Sequence, residues 1–234
     1  MKSSFSRRQF LKTGSLSAAA LTMASGAVKA VHAGENNTIK VAWIGCGNRG
    51  AGAIRQALNA DDNIQLYAAA DAFEDKVNAM VDALSEDADF EGKVNCPEER
   101  RFFGMDAYKK AIDSLDDGDI VLLTTPPAFR PLHYCYAVDS PKMINVFAEK
   151  PVATDIPNLK MIREANERAM KKGIKVGVGL NNRNYLRTEE TVKAIQDGVI
   201  GDVNCCWVYR FHVPHNLSPI GNWTRLQHQL RNIF

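Results

Sequence analysis

Metal-ligand spacing is the first thing this sequence lacks. Its five cysteines (46, 96, 135, 205 and 206) contain no CxxC pair, and with the five histidines they form no zinc-type pattern. The thiols are odd in number and Cys205 and Cys206 are adjacent, which argues against a disulfide framework. They read as reduced, structural cysteines in a protein that folds in the cytosol, with Cys46 in a glycine-rich loop where a small side chain fits. A membrane-spanning run is lacking too. The run from Thr13 to Val28 has 16 residues and carries Ser, Gly and Thr, against the roughly 20 apolar residues a transmembrane helix needs. Basic excess is lacking beyond the N-terminus. Residues 1–33 hold five of the 29 Lys/Arg and none of the 27 Asp/Glu, so residues 34–234 carry 24 basic against 27 acidic side chains, a net of −3. Nothing in that balance asks for nucleic acid or an anionic membrane as partner.

What is present begins with an export pattern. Ser6-Arg7-Arg8-Gln9-Phe10-Leu11-Lys12 has the form of a twin-arginine motif. The weakly apolar run after it ends in small residues at Val28-Lys29-Ala30 and Val31-His32-Ala33. Residues 1–33 are therefore expected to be a removable signal, cleaved after Ala30 or, preferably, Ala33. The mature protein is expected in the periplasm or otherwise exported, with no stable membrane insertion.

The stretch from Ile39 to Asp71 organises the rest. An apolar strand, Ile39–Ile44, runs into the loop Gly45-Cys46-Gly47-Asn48-Arg49-Gly50, a helical segment over Ala51–Leu58, and a second strand from Ile64 to Ala70. Asp71 follows, 21 residues beyond the last glycine. This is the order of a dinucleotide-binding βαβ unit. Gly45 permits the tight turn, Gly47 lets the backbone approach a pyrophosphate, and Gly50 lets helix and strand pack closely. The helix N-terminus offers free N–H groups and a positive dipole end to the phosphates. Asp71 would accept hydrogen bonds from a ribose 2′-hydroxyl. Followed by Ala72 and Phe73 rather than an arginine, it favours NAD over NADP.

Further βα repeats follow. A helix is expected over Glu74–Leu84, an acidic surface excursion over 85–99, a short strand at Arg101–Phe103, and a helix over Ala107–Leu115 capped by Asp106. The apolar strand from Asp119 to Thr124 leads into Thr125-Pro126-Pro127, where two prolines stiffen a loop at the strand's carboxyl end. His133 falls in the next helix and reads as a cleft-lining or packing residue rather than a catalyst. A strand ending at Ala148 runs directly into Glu149-Lys150-Pro151. Asp155 then caps a helix that Gly173 ends, and Lys175–Leu180 is the last strand of a domain spanning 36–180. After Asn181 the pattern changes. A helix over Thr188–Asp197 precedes an alternating segment, Val203 to Val213, that reads as one long strand with an apolar face. So little chain follows that residues 181–234 are expected to be an incomplete second domain, unless that face is covered by oligomerisation.

GCGNRG after the first strand, TTPPAFRPLH after the fourth and AEKPVATD at Ala148–Asp155 together resemble the Gfo/Idh/MocA oxidoreductase family, across roughly residues 38–215. The resemblance implies an α/β fold: an N-terminal Rossmann doubly wound parallel sheet, then an α+β domain on an open, mostly antiparallel sheet that also mediates homo-oligomerisation. It implies that Gly45, Gly47, Asn48, Arg49 and Gly50 hold the pyrophosphate and Asp71 the adenine ribose. Thr125, Pro126, Pro127 and His133 would line the cleft, and Glu149 and Lys150 would lie beside the nicotinamide ribose, with the Lys150–Pro151 bond a candidate for the cis form. Asn181, Asn182 and Arg183 would contact cofactor or substrate. Lys150 is the implied proton-transfer residue, and its partner Asp and His would lie beyond Phe234. The implied reaction is hydride transfer between NAD and a sugar, polyol or related alcohol, with a cofactor that an exported protein must carry bound. A related glycosidase branch, which uses transient oxidation and elimination, tends to lack the EKP lysine. A non-catalytic NAD-binding protein is the third possibility.

Overall fold

The structure, a computed structural model, describes residues 38–209, 211, 217, 219 and 221–232. The signal-like segment 1–33 lies outside them, as do positions 210, 212 and 213 of the expected long strand.

Six parallel strands form one sheet: β1 (Ile39–Ile44), β2 (Ile64–Asp71), β3 (Arg101–Phe103), β4 (Ile120–Leu123), β5 (Asn145–Ala148) and β6 (Val176–Val178). Their spatial order is β3-β2-β1-β4-β5-β6, the Rossmann order that reverses between β1 and β4 and opens a crevice at the strands' carboxyl ends. Both faces are covered, which is why the strands read as continuous apolar runs. On one face Val41, Trp43, Leu66 and Leu122 pack against α1 (Asn48–Leu58) and α2 (Glu74–Ser85). On the other, Ala42, Ile44, Val121, Leu123 and Val146 meet α3 (Ala107–Asp113), α4 (Arg130–Asp139) and α5 (Ile156–Lys172). The Asp155 carboxylate accepts the Asn158 N–H at 2.8 Å to start α5, and Gly173 ends it at φ +77°. Two helices follow, α6 (Leu186–Gln196) and α7 (Arg225–Arg231).

Several local expectations are corrected. Helix α1 begins at Asn48, three residues early, because Gly47 is its extended N-cap (φ −87°, ψ −179°). The last half of the glycine loop is therefore the first helical turn. The 85–99 excursion is anchored: Phe90 and Cys96 are buried with the α1/α2 core, and Leu66 exchanges backbone hydrogen bonds with Lys93 and Asn95 at 2.9 Å. Isolated apolar anchors carry no period, so the sequence pattern does not show them. Asp106 precedes α3 without a side-chain cap and pairs with Lys109 instead, at 2.7 Å. Residues 201–209 form no strand, and Trp207 and Phe211 are 75% and 94% exposed. Alternation marks a face suited to a sheet, but a ladder needs a neighbouring strand, and among the described residues none pairs there.

Candidate functional site

The carboxyl ends of β1, β2, β4 and β5 open on a cleft of about 780 Å³, within the range of small-molecule sites. Its floor is the glycine loop. Gly45 sits at φ +99°, and a Cβ there would stand 2.6 Å from the Thr125 nitrogen. At Gly50 a Cβ would meet the Gly45 carbonyl oxygen at 2.1 Å, so α1 can pack on β1 only through a glycine. Gly47 differs, since nothing lies within 4 Å of where its Cβ would be. That open position lies at an α1 N-terminus that no side chain caps. The first-turn N–H groups and the Arg49 side chain beside them suit a diphosphate, so the residues fit a dinucleotide.

Asp71 closes the loop from β2. One carboxylate oxygen accepts the Cys46 N–H at 2.8 Å and the other the Phe73 N–H at 3.1 Å, fixing its orientation at the cleft edge. Thr124, one residue past β4, ties the strand ends together. Its hydroxyl donates to the Gly45 carbonyl at 2.7 Å and accepts from Trp43 Nε1 at 3.1 Å.

Glu149 and Lys150 part company. Glu149 turns inward, 3% exposed, and accepts from Arg49 Nη2 at 2.5 Å, joining the two sides of the cleft. Gly179 makes room for it: a Cβ there would lie 2.8 Å from Glu149 Oε1. Lys150 stays exposed and lines the cleft, and the Lys150–Pro151 peptide is cis.

His133 is buried against Tyr108, with ring centroids 4.2 Å apart, and its Nδ1 lies 3.2 Å from the Thr125 hydroxyl. Burial, aided by the nearby Arg130 charge, pushes its pKa down to about 4. The ring is neutral near pH 7, consistent with a cleft-lining role. A stability effect follows. Below about pH 6.5 the unfolded chain protonates this histidine while the folded protein refuses the proton until about pH 4. Stability should therefore fall across that window, by about 3 kcal/mol for a shift of this size. Urea melts at pH 7, 5 and 4 should show a shallower acid loss in His133→Gln; an unchanged slope would count against the buried neutral ring.

Arg130 lies within the TTPPAFRPLH stretch, where no role attaches to it from the sequence. It is 3% exposed at the start of α4; Nη1 donates to the Pro151 carbonyl and Nη2 to the Thr125 carbonyl. Burial lowers its pKa to about 10, partly offset by Glu149, so it stays cationic. Across the cleft, Trp223, Leu230 and Arg231 complete the wall near Phe73. The Arg231 guanidinium stacks 4.1 Å from the Phe73 ring and 4.4 Å from Trp223, and pairs with Asp75 at 2.6 Å. Of the expected site residues, Gly45, Gly47, Asn48, Arg49, Gly50, Asp71, Thr125, Pro126, His133, Glu149 and Lys150 share the cleft. Pro127, Asn182 and Arg183 do not line it, and the turn Asn181–Asn184 is exposed.

A family model described as an oxidoreductase family with an NAD-binding Rossmann fold, GFO_IDH_MocA, matches residues 39–180. The chain belongs to this Gfo/Idh/MocA oxidoreductase family. Among curated relatives, a glycosyl hydrolase family 109 protein of Shewanella pealeana is 26% identical over 97% of this chain and 51% of its own length. Another, from Streptomyces coelicolor, is 32% identical over 71% of this chain and 32% of its own. The chain thus spans about half the length, or less, of the curated relatives it matches. Two solved Rossmann structures share the fold. Myo-inositol 2-dehydrogenase from Lactobacillus plantarum superposes with TM-score 0.55 at 21% identity, covering 70% of this chain and 43% of that one. The WlbA dehydrogenase from Bordetella pertussis, in complex with NADH and UDP-GlcNAcA, gives 0.54 at 20%, covering 69% and 40%.

Proposed function

We propose that this protein oxidises or reduces a carbohydrate-like alcohol using a tightly held NAD, with Lys150 as the proton-transfer group. The observation that carries this reading is the exposed Lys150 ammonium in the same cleft as the glycine loop and Asp71. When bound, NAD supplies the hydride acceptor or donor. The chain's own residues do the rest: the α1 N-terminus and Arg49 neutralise the diphosphate, Asp71 takes a ribose hydroxyl, and Lys150 receives or returns the hydroxyl proton. NAD over NADP is supported by the carboxylate at Asp71, which would repel a 2′-phosphate, and by the commitment of Arg231 to Asp75. Residues 181 onward would supply substrate contacts and the oligomer surface. Export through the twin-arginine pattern at Arg7–Arg8 would place the protein where free NAD is not replenished, so a bound cofactor must be recycled in place.

A second reading is favoured by the names of the curated relatives, glycosyl hydrolase family 109 proteins. There the same bound NAD would oxidise a ring carbon transiently so that the leaving group eliminates. The full-length protein, purified and assayed for bound NAD(H), separates the two. With a panel of free sugars and polyols, a stoichiometric change in NADH absorbance supports the oxidoreductase. Release of p-nitrophenol from p-nitrophenyl glycosides without net NADH change selects the glycosidase. A protein that binds no NAD(H) overturns both.

A further inference from the structure

We propose that Arg130 is a positioning residue for the nicotinamide end of the cleft. By holding the Thr125 and Pro151 carbonyls at once, it sets the loop carrying Glu149 and Lys150 against the loop carrying Thr125 and Pro126. This inference rests on the NAD-dependent reading above. β4 and β5 are paired neighbours, and the last backbone bond between them is the Glu149 N–H to the Leu123 carbonyl, at 2.9 Å. Past that bond the two loops have no ladder to hold them in register, and Pro126, Pro127 and Pro151 have no N–H to extend one. The guanidinium of Arg130 takes over. Its planar fork donates to one carbonyl of each loop, in a fixed geometry that a flexible ammonium does not reproduce.

The energetics favour a positioning role over plain packing. Arg130 is 3% exposed, its Nε–H has no acceptor among the described residues, and its hydrogen bonds run to neutral carbonyls rather than a carboxylate. The acid nearest in effect, Glu149, is engaged by Arg49. A buried cation so partnered is poorer for stability than an apolar side chain of similar volume. What the arginine adds is geometry. The residues it fixes are those that would surround the nicotinamide ribose, whereas the diphosphate and adenine side is built on α1 and Asp71, which Arg130 reaches only through the Glu149–Arg49 pair.

That division supplies the test. ADP shares the adenine, the adenine ribose and the diphosphate of NADH but lacks the nicotinamide ribose and ring. In the full-length protein, Arg130→Met should weaken NADH binding about tenfold, the effect of losing one strong hydrogen-bond equivalent. Its affinity for ADP, measured by calorimetry, should stay within about twofold. Arg130→Lys should show the same selective loss at smaller size, and it carries the test if the methionine variant does not fold. Variants that lose both ligands equally, or neither, overturn the inference while the wild type still binds. A wild type that binds neither ligand overturns the NAD-dependent reading and this inference together.

Discussion

Lys150→Met in the full-length protein is expected to lower turnover about 10²–10⁴-fold, the usual contribution of a positioned acid–base group, while NADH still binds. The structure separates this lysine from the scaffold. Its side chain is exposed at the cleft, and among the described residues no carboxylate or carbonyl accepts a hydrogen bond from it. The charge next to it in sequence, Glu149, points inward to Arg49. Removing the ammonium should therefore shift stability by no more than about 0.5 kcal/mol, as for other surface changes. The two measurements belong together. A fall in turnover with unchanged melting and unchanged NADH affinity identifies a group acting on the proton. A parallel loss of binding and melting would instead mean that Lys150 supports the loop, and unchanged turnover would remove it from the chemistry.

How legible this site is in the sequence depends on whether a residue's role is local. The glycines are legible because their roles concern the backbone: the turn at Gly45, the open cradle at Gly47 and the tight contact at Gly50 follow from spacing alone. Asp71 is legible because it ends a strand at a fixed distance from that loop. Arg130 is not. Its partners are carbonyls of Thr125 and Pro151, in two different loops, and nothing in a pattern of side chains advertises an acceptor on the backbone. Gly179 reads as an ordinary strand residue until the Glu149 carboxylate is found against it. Thr124 looks like the end of an apolar strand, and only the fold brings Trp43 and Gly45 to its hydroxyl. The alternation at the described residues 203–209 fails in the opposite sense. It describes correctly a face that would suit a sheet, but period alone cannot supply the neighbouring strand. Pro127, expected at the cleft from its place after an apolar strand as well as by resemblance, and Asn182 and Arg183, expected to contact cofactor or substrate by resemblance, stand outside its wall.

The glycine loop allows scaffold and ligand roles to be pulled apart by two single-methyl substitutions. Gly50→Ala would put a carbon 2.1 Å from the Gly45 carbonyl oxygen and 2.8 Å from both Thr124 Oγ1 and Trp43 Nε1. None of these is the end of a flexible side chain that can swing aside. The carbonyl is backbone, and the other two are hydrogen-bonded to each other. Either α1 moves away from β1 or the Trp43–Thr124–Gly45 relay breaks, so a loss of about 2–3 kcal/mol is expected, at the upper end of overpacking effects. NADH affinity should fall with it, because the shifted helix carries the N–H groups that would face the diphosphate. Gly47→Ala meets nothing within 4 Å, in an extended conformation that alanine tolerates. It should melt within about 1 kcal/mol of wild type, because the entropy gain of a glycine-to-alanine change is opposed by alanine's poorer fit at the N-cap. Its new methyl would nevertheless stand in the space through which a diphosphate approaches the helix N-terminus, and NADH binding should weaken about tenfold or more. Denaturant melts and NADH titrations on the same two variants decide the matter. If Gly47→Ala binds NADH as well as the wild type, the open position above α1 is not where the diphosphate lies, however well the loop is built to receive one.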